Sequence, residues 1–125
     1  MSRMVILAGL IGALASPVYA ADLEVQVVDK GCWIEVYEDD DFDQDDPHVV
    51  IPGPGEYATL KNLAGKDWSN DIESVIVGSS ARVKAYKDKD YSGTEIAFTV
   101  NQRVPDLSKV DMGNEIESMT ITCVD

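Results

Sequence analysis

One short pattern occurs twice in this chain. Ser69-Asn70-Asp71-Ile72-Glu73-Ser74-Val75 is answered by Gly113-Asn114-Glu115-Ile116-Glu117-Ser118-Met119. Each copy sets oxygen-bearing side chains around one isoleucine and then enters an alternating stretch, Ile76-Val77 or Thr120-Ile121-Thr122. That is a loop feeding a strand. Upstream of each copy stands a second matched feature: Tyr37 and Phe42, then Tyr86 and Tyr91, each pair separated by four residues, with Ser92-Gly93 following the second pair. Two features in the same order, twice, mark an internal duplication, and 125 residues leave room for one domain built from two like halves.

The first 20 residues stand outside the duplication. Arg3 gives a short positive end, Val5 to Ala15 is an apolar run too short to span a bilayer, and Val18-Tyr19-Ala20 places small residues at the cleavage positions. This reads as a signal peptide over residues 1–20, with a single domain over 21–125 that is secreted or periplasmic. Asp22 and Glu24 follow in place of a positive stop-transfer cluster, so no membrane span is expected in the mature chain.

Charge narrows the choice of partners. The chain carries 23 acidic against 10 basic residues, a net charge of −13, and removing the leader takes away one arginine and no acid. Nucleic acid is excluded as a natural partner, because neutralising phosphates needs a basic surface. Cations are expected instead, since a bound counter-ion relieves the self-repulsion of so acidic a fold. In an exported chain the even count of two cysteines, Cys32 and Cys123, favours a disulfide over two buried free thiols. A metal-thiolate site has no further cysteine and only His48 to draw on.

The rest of the chain reads as strand after strand. Leu23-Val25-Val27 alternates as a lead-in; Cys32, Ile34 and Val36 share one face, with Trp33, Glu35 and Tyr37 on the other. Glu38 to Asp46 holds seven acids in nine residues and is expected to be a solvated turn offering diffuse cation attraction. Val49 and Ile51 resume the inward face; Glu56 to Leu60 is a strand, and Lys61 to Trp68 an irregular connection with room for a helical turn. Val75 and Val77 face inward, then Val83 and Ala85, then Ile96, Phe98 and Val100. A weaker strand at Arg103-Val104 and a loop from Pro105 to Asn114 lead to the last strand, Met119 to Val124. No segment shows a sustained helical period. Eight short strands in two fours predict an all-β protein, an antiparallel sandwich of two Greek keys, the first about 32–78 and the second about 81–124.

Those residues carry a family resemblance. Tyr86, Tyr91 and Gly93 match the opening of the βγ-crystallin motif, an aromatic, four residues, an aromatic, one residue and glycine. The two loops resemble its close: two Asn/Asp positions, two variable ones, Ser/Thr and Ser. Trp68, Ile72, Ile116, Ser74, Ser118 and Gly55-Glu56-Tyr57 also fit. The chain is similar to microbial βγ-crystallin domains over roughly residues 32 to 124. It departs from them at three points: Gln44 stands where the first hairpin should have glycine, Ser69 and Gly113 hold the first Asn/Asp position, and Glu73 and Glu117 replace the hydroxyl ligand in both copies.

The resemblance implies two Ca²⁺ ions, each between the two motifs. Site one would use the backbone carbonyls of Asp40 and Asp71, the Glu73 carboxylate and the Asn114 side chain. Site two would use the carbonyls of Lys89 and Glu115, the Glu117 carboxylate and the Asn70 side chain. Such hard oxygen donors suit Ca²⁺ better than Mg²⁺ with its strict octahedron. The bland reading of these loops is that Asn70 and Asn114 bridge turns and the glutamates are solvated. Catalysis finds no constellation: one histidine and two paired cysteines assemble no nucleophile and base. The expectation is a secreted, calcium-binding structural or stress-protective protein. The alternative is an exported protease inhibitor or toxin-like module of the same fold, or an acidic matrix protein that assembles through calcium.

Overall fold

Alternation in the first strand sets the inner face of the domain. The computed structural model describes residues 31–124, so the expected signal peptide and the lead-in at Leu23-Val25-Val27 lie outside the described residues. Strand β1 (Trp33–Tyr37) buries Ile34 and Val36 completely, as its two-residue period predicts. After it come β2 (His48–Pro52), β3 (Gly55–Tyr57), β4 (Ser74–Val77), β5 (Ala81–Asp88), β6 (Ser92–Phe98), β7 (Arg103–Val104), a 3₁₀ turn at Leu107–Val110, and β8 (Ser118–Cys123).

These strands form two antiparallel four-stranded sheets. One has the order β2-β1-β4-β7 and the other β3-β8-β5-β6. The short third strand of each half is exchanged: β3 pairs with β8 of the second half, Glu56 opposite Thr120, and β7 pairs with β4 of the first, Ile76 opposite Arg103. Neither half completes a sheet alone. The core lies between the sheets, with Ile34, Val36, Ile51, Val75 and Val77 facing Val83, Ala85, Phe98, Met119 and Ile121. Leu60, Trp68 and Ile72 cap it from the first half, and Leu107, Met112 and Ile116 from the second. Burial of each large side chain contributes about 1.5–3 kcal/mol, so this one core, drawn from both halves, holds them together in addition to the exchanged strands.

Cys32 and Cys123 are joined, with their Cα atoms 5.4 Å apart across 91 positions of sequence. The bridge ties the residue before β1 to the end of β8, one in each half.

Several local expectations are revised. Tyr37 is buried although its strand phase points it outward, because Phe42 folds back edge-on at 5.7 Å and His48 stacks on it at 5.4 Å. Burial and the neighbouring Glu35 push its phenol up to about 12. The third strand ends at Tyr57 rather than Leu60, and Val100 lies in the turn after β6 instead of facing inward within it. The helical turn falls at Leu107–Val110, not between Lys61 and Trp68. Asp106 caps it, accepting from the Ser108 amide at 3.0 Å. Gly113 follows from this turn: a Cβ there would stand 3.0 Å from the Ser108 nitrogen.

Candidate metal centre

Each motif folds its β-hairpin back over its own strands, and one buried serine holds it there. Ser74 Oγ donates to the Asp39 carbonyl at 2.6 Å and accepts from the Phe42 amide at 3.1 Å. Ser118 repeats this with the Asp88 carbonyl at 2.6 Å and the Tyr91 amide at 3.0 Å. Both serines are fully buried, so each hydroxyl satisfies groups that water cannot reach. The fold-back takes left-handed backbone at Asp41 and Phe42, and again at Asp90 and Tyr91. Gly93 adopts a φ of 79° in the second hairpin, whereas Gln44 in the first avoids the left-handed region.

The loops between the halves cross. Asn70 N–H donates to the Ile116 carbonyl at 3.1 Å, and Asn114 N–H to the Ile72 carbonyl at 3.0 Å. Both asparagines have positive φ, 63° and 56°, a conformation Asn tolerates well. That alone explains an asparagine in each loop. It does not explain the side chains: Asn114 Nδ2 donates to Glu73 Oε2 and Asn70 Nδ2 to Glu117 Oε2, each at 3.1 Å. Within its own motif, Glu73 N–H donates to the Tyr37 carbonyl and Glu117 N–H to the Tyr86 carbonyl, both at 2.9 Å. Each carboxylate is therefore positioned from the base of its own hairpin and met by the amide of the other motif.

Of the sequence-predicted ligands, the fold brings Glu73 to Asn114 and Glu117 to Asn70. For the other four the expected donors are backbone carbonyls. Asp40 lies in the first hairpin, between Asp39, whose carbonyl is held by Ser74, and Asp41, whose amide donates to the Pro105 carbonyl at 2.8 Å. Lys89 O already accepts from Ser92 Oγ at 2.8 Å. Asp71 and Glu115 sit beside their asparagines, with side chains engaged by Lys66 and Lys87.

A second group was not anticipated as a defined cluster. Carboxylate oxygens of Asp39, Asp43 and Asp46 lie within 4.8 Å of one another in the hairpin closed by the Glu38 amide on the Pro47 carbonyl. A hydrogen bond and like charge from Asp39 push the Asp46 carboxyl up to about 6. Three converging carboxylates could hold a metal ion. Sequence spacing could not single them out, because a run of seven acids contains every spacing.

The exchanged strands, the serine-held hairpins and the crossed loops define a double Greek-key domain of the crystallin type. Residues 31–120 match the family model Beta/Gamma crystallin, and the chain belongs to that family. Among solved structures it is similar to one described under the evolution of the eye-lens βγ-crystallin domain fold, at 19% identity and a TM-score of 0.68, covering 82% of this chain and 96% of that one. It is similar to the N-terminal domain of protein S at 26% identity and a TM-score of 0.60, covering 74% and 97%. A double mutant of clostrillin in complex with nickel matches at 25% identity and a TM-score of 0.57, covering 71% and 95%. No curated protein sequence matches the chain.

Proposed function

We propose that this chain is an exported calcium-binding βγ-crystallin whose fold is tightened by two Ca²⁺ ions, one at Glu73 and Asn114 and one at Glu117 and Asn70. The carrying observation is the symmetrical pair of crosswise contacts, each 3.1 Å long, between a glutamate of one motif and an asparagine of the other. The donor chemistry fits the ion: a carboxylate and an amide oxygen join backbone carbonyls into a hard oxygen set. Asn114 presents Nδ2 to Glu73; turning the amide by half a revolution presents Oδ1 at that place and changes a donor to the carboxylate into a second oxygen ligand. The ion then joins the two motifs through the same pair of side chains. The role is structural or stress-protective, with binding energy converted into stability of the folded chain.

Export is supported by the Val18-Tyr19-Ala20 sequence and by the Cys32–Cys123 bridge, which belongs to an oxidising compartment. Among the described residues no helix is long and apolar enough to cross a membrane. An exposed apolar patch around Trp33 or a stable complex with a protease would favour the inhibitor or toxin-like reading; Trp33 is half-buried. Calorimetric titration of the exported protein with CaCl₂ tests the proposal. Two equivalents of bound Ca²⁺ are expected, reduced to one by Glu73→Gln; no binding heat in the unmodified chain would reject it.

A further inference from the structure

The two loops are each held by a lysine, and the two lysines do not correspond. Lys66 Nζ lies 3.1 Å from Asp71 Oδ2 and 3.6 Å from Glu38 Oε2, with the Trp68 ring centre 4.6 Å away. Lys87 Nζ lies 2.7 Å from Glu115 Oε1 and 3.5 Å from Asp111 Oδ2. Asp71 and Glu115 are equivalent, since the Asp71 amide donates to the Trp68 carbonyl and the Glu115 amide to the Met112 carbonyl. Glu38 and Lys87 are also equivalent, each following the tyrosine whose carbonyl accepts from Glu73 or Glu117. In the first motif the strand side of the tie is acidic and the loop before Trp68 supplies the ammonium. In the second the strand side supplies the ammonium and the loop before Met112 is acidic. One ammonium between two carboxylates is assembled in both motifs, but from positions that do not correspond: Glu38 and Lys87 differ in sign, while Asp111 aligns with Asp67 and not with Lys66.

Copying one motif would repeat a lysine at one position. The same arrangement reached from different positions is not explained by copying alone. The backbone assists: the β5–β6 pairing shifts register between Tyr86 and Asp88, which places Lys87 at an irregularity of the kind that re-aims a side chain. Both ammonium side chains are partly covered, at 32% and 23% exposure, so they are less open to water than an ordinary surface lysine.

We propose that Lys66 and Lys87 are tethered counter-cations, one per motif, that hold the crossed loops in place without metal and lower the affinity of each loop for a divalent cation. The second half rests on the calcium reading above. A fixed positive charge against Asp71 or Glu115 does part of what an ion would do for the loop, and repels the ion that would replace it. The domain therefore stays folded when calcium is scarce and responds to it only at higher concentration.

The test uses the full exported chain, bridge intact, with melting in chelator at low salt and calorimetric titration with CaCl₂. Lys66→Gln and Lys87→Gln should each lower Tm in chelator by about 2–6 °C, the effect of losing a partly exposed pair in a domain of this size. They should also tighten the Kd for Ca²⁺ by roughly several-fold at low salt, and less at 0.15 M, because a nearby like charge is removed and salt screens what it contributes. Lys66→Glu alone should lower Tm further, and adding Glu38→Lys should restore it, because the double variant again sets one ammonium, now at the position equivalent to Lys87, between two carboxylates. Unchanged melting in chelator, weaker calcium binding by the glutamine variants, or failure of the charge swap to restore Tm would each overturn the proposal. No calcium heat in the unmodified chain would remove the calcium reading and the affinity half with it, while melting in chelator decides the clamp by itself.

Discussion

Asn114 of the second Greek key donates its side-chain amide to Glu73 of the first, 41 positions earlier in the chain, over 3.1 Å. Asn70 and Glu117 make the converse contact at the same length. The halves are thus linked by side chains that each carry an oxygen suitable for a hard cation, placed by backbone hydrogen bonds that also cross between loops. A site made in this way belongs to neither half. It exists only while both are folded, so any ion bound there is linked to the stability of the whole domain.

Asn114→Ala should remove one donor from the Glu73 site and leave the Glu117 site intact. Calorimetry should find about one bound Ca²⁺ in place of two. Stability in chelator should fall by about 0.5–1.5 kcal/mol, the net worth of an ordinary hydrogen bond, read by urea denaturation.

Ser74→Ala and Ser118→Ala should each cost about 1–3 kcal/mol, because each leaves a hairpin amide and carbonyl without their shared partner. Ser92→Ala is the control, since Ser92 also bonds a hairpin carbonyl but is exposed, and its loss should be within about 0.5 kcal/mol. Urea midpoints distinguish the three variants.

The Asp39–Asp43–Asp46 cluster makes a pH prediction. In the folded hairpin the Asp46 carboxyl is pushed up to about 6 from an ordinary 3.8, first by its hydrogen bond with Asp39 and then by the Asp39 charge. Between those values the folded chain binds more protons than the unfolded one. The stability this contributes is full below the unfolded value and is lost as pH rises through about 6. Asp46→Asn should therefore raise Tm at pH 7.5 and have little effect near pH 3.5, as followed by circular dichroism melting.

Replacing Cys32 and Cys123 by serine should lower stability by roughly 2–5 kcal/mol, since the bridge closes nearly the entire described domain. Thiol counting of the unmodified protein in denaturant without reductant should find none.

Much of this domain was legible in its sequence, for a reason that also marks the limit. Two-residue alternation reports which face a side chain takes, so Ile34, Val36, Val75, Val77, Val83 and Ala85 fall where their phase puts them. Alternation does not report which strand lies alongside. The exchange of Gly55–Tyr57 and Arg103–Val104 between halves therefore left no mark on the pattern. Tyr37 departs from its phase because a folded-back hairpin covers it, a tertiary effect at a position whose own period points outward. The loops at Asn70 and Asn114 stood out because duplication repeats them in register. Lys66 and Lys87 did not, because they occupy non-equivalent positions and meet equivalent acids only in three dimensions. The convergence of Asp39, Asp43 and Asp46 likewise depends on the left-handed residues Asp41 and Phe42.

The central claim is that coordinated calcium, rather than diffuse counter-ions, stabilises this acidic fold through Glu73 and Glu117. Thermal melting near 0.15 M salt, where exposed charges interact over only about 8 Å, separates the two. It should be run with millimolar Ca²⁺, millimolar Mg²⁺ and chelator. At a hundredfold excess over Kd a single site adds about 2.7 kcal/mol, a rise in Tm of roughly 10 °C or more for a domain of this size. The account predicts that rise with Ca²⁺ and little with Mg²⁺, diminished by Glu73→Gln or Glu117→Gln and unaffected by neutralising Asp43 and Asp45. Equal effects of the two ions, or a hairpin change that matters as much as a loop change, would contradict it.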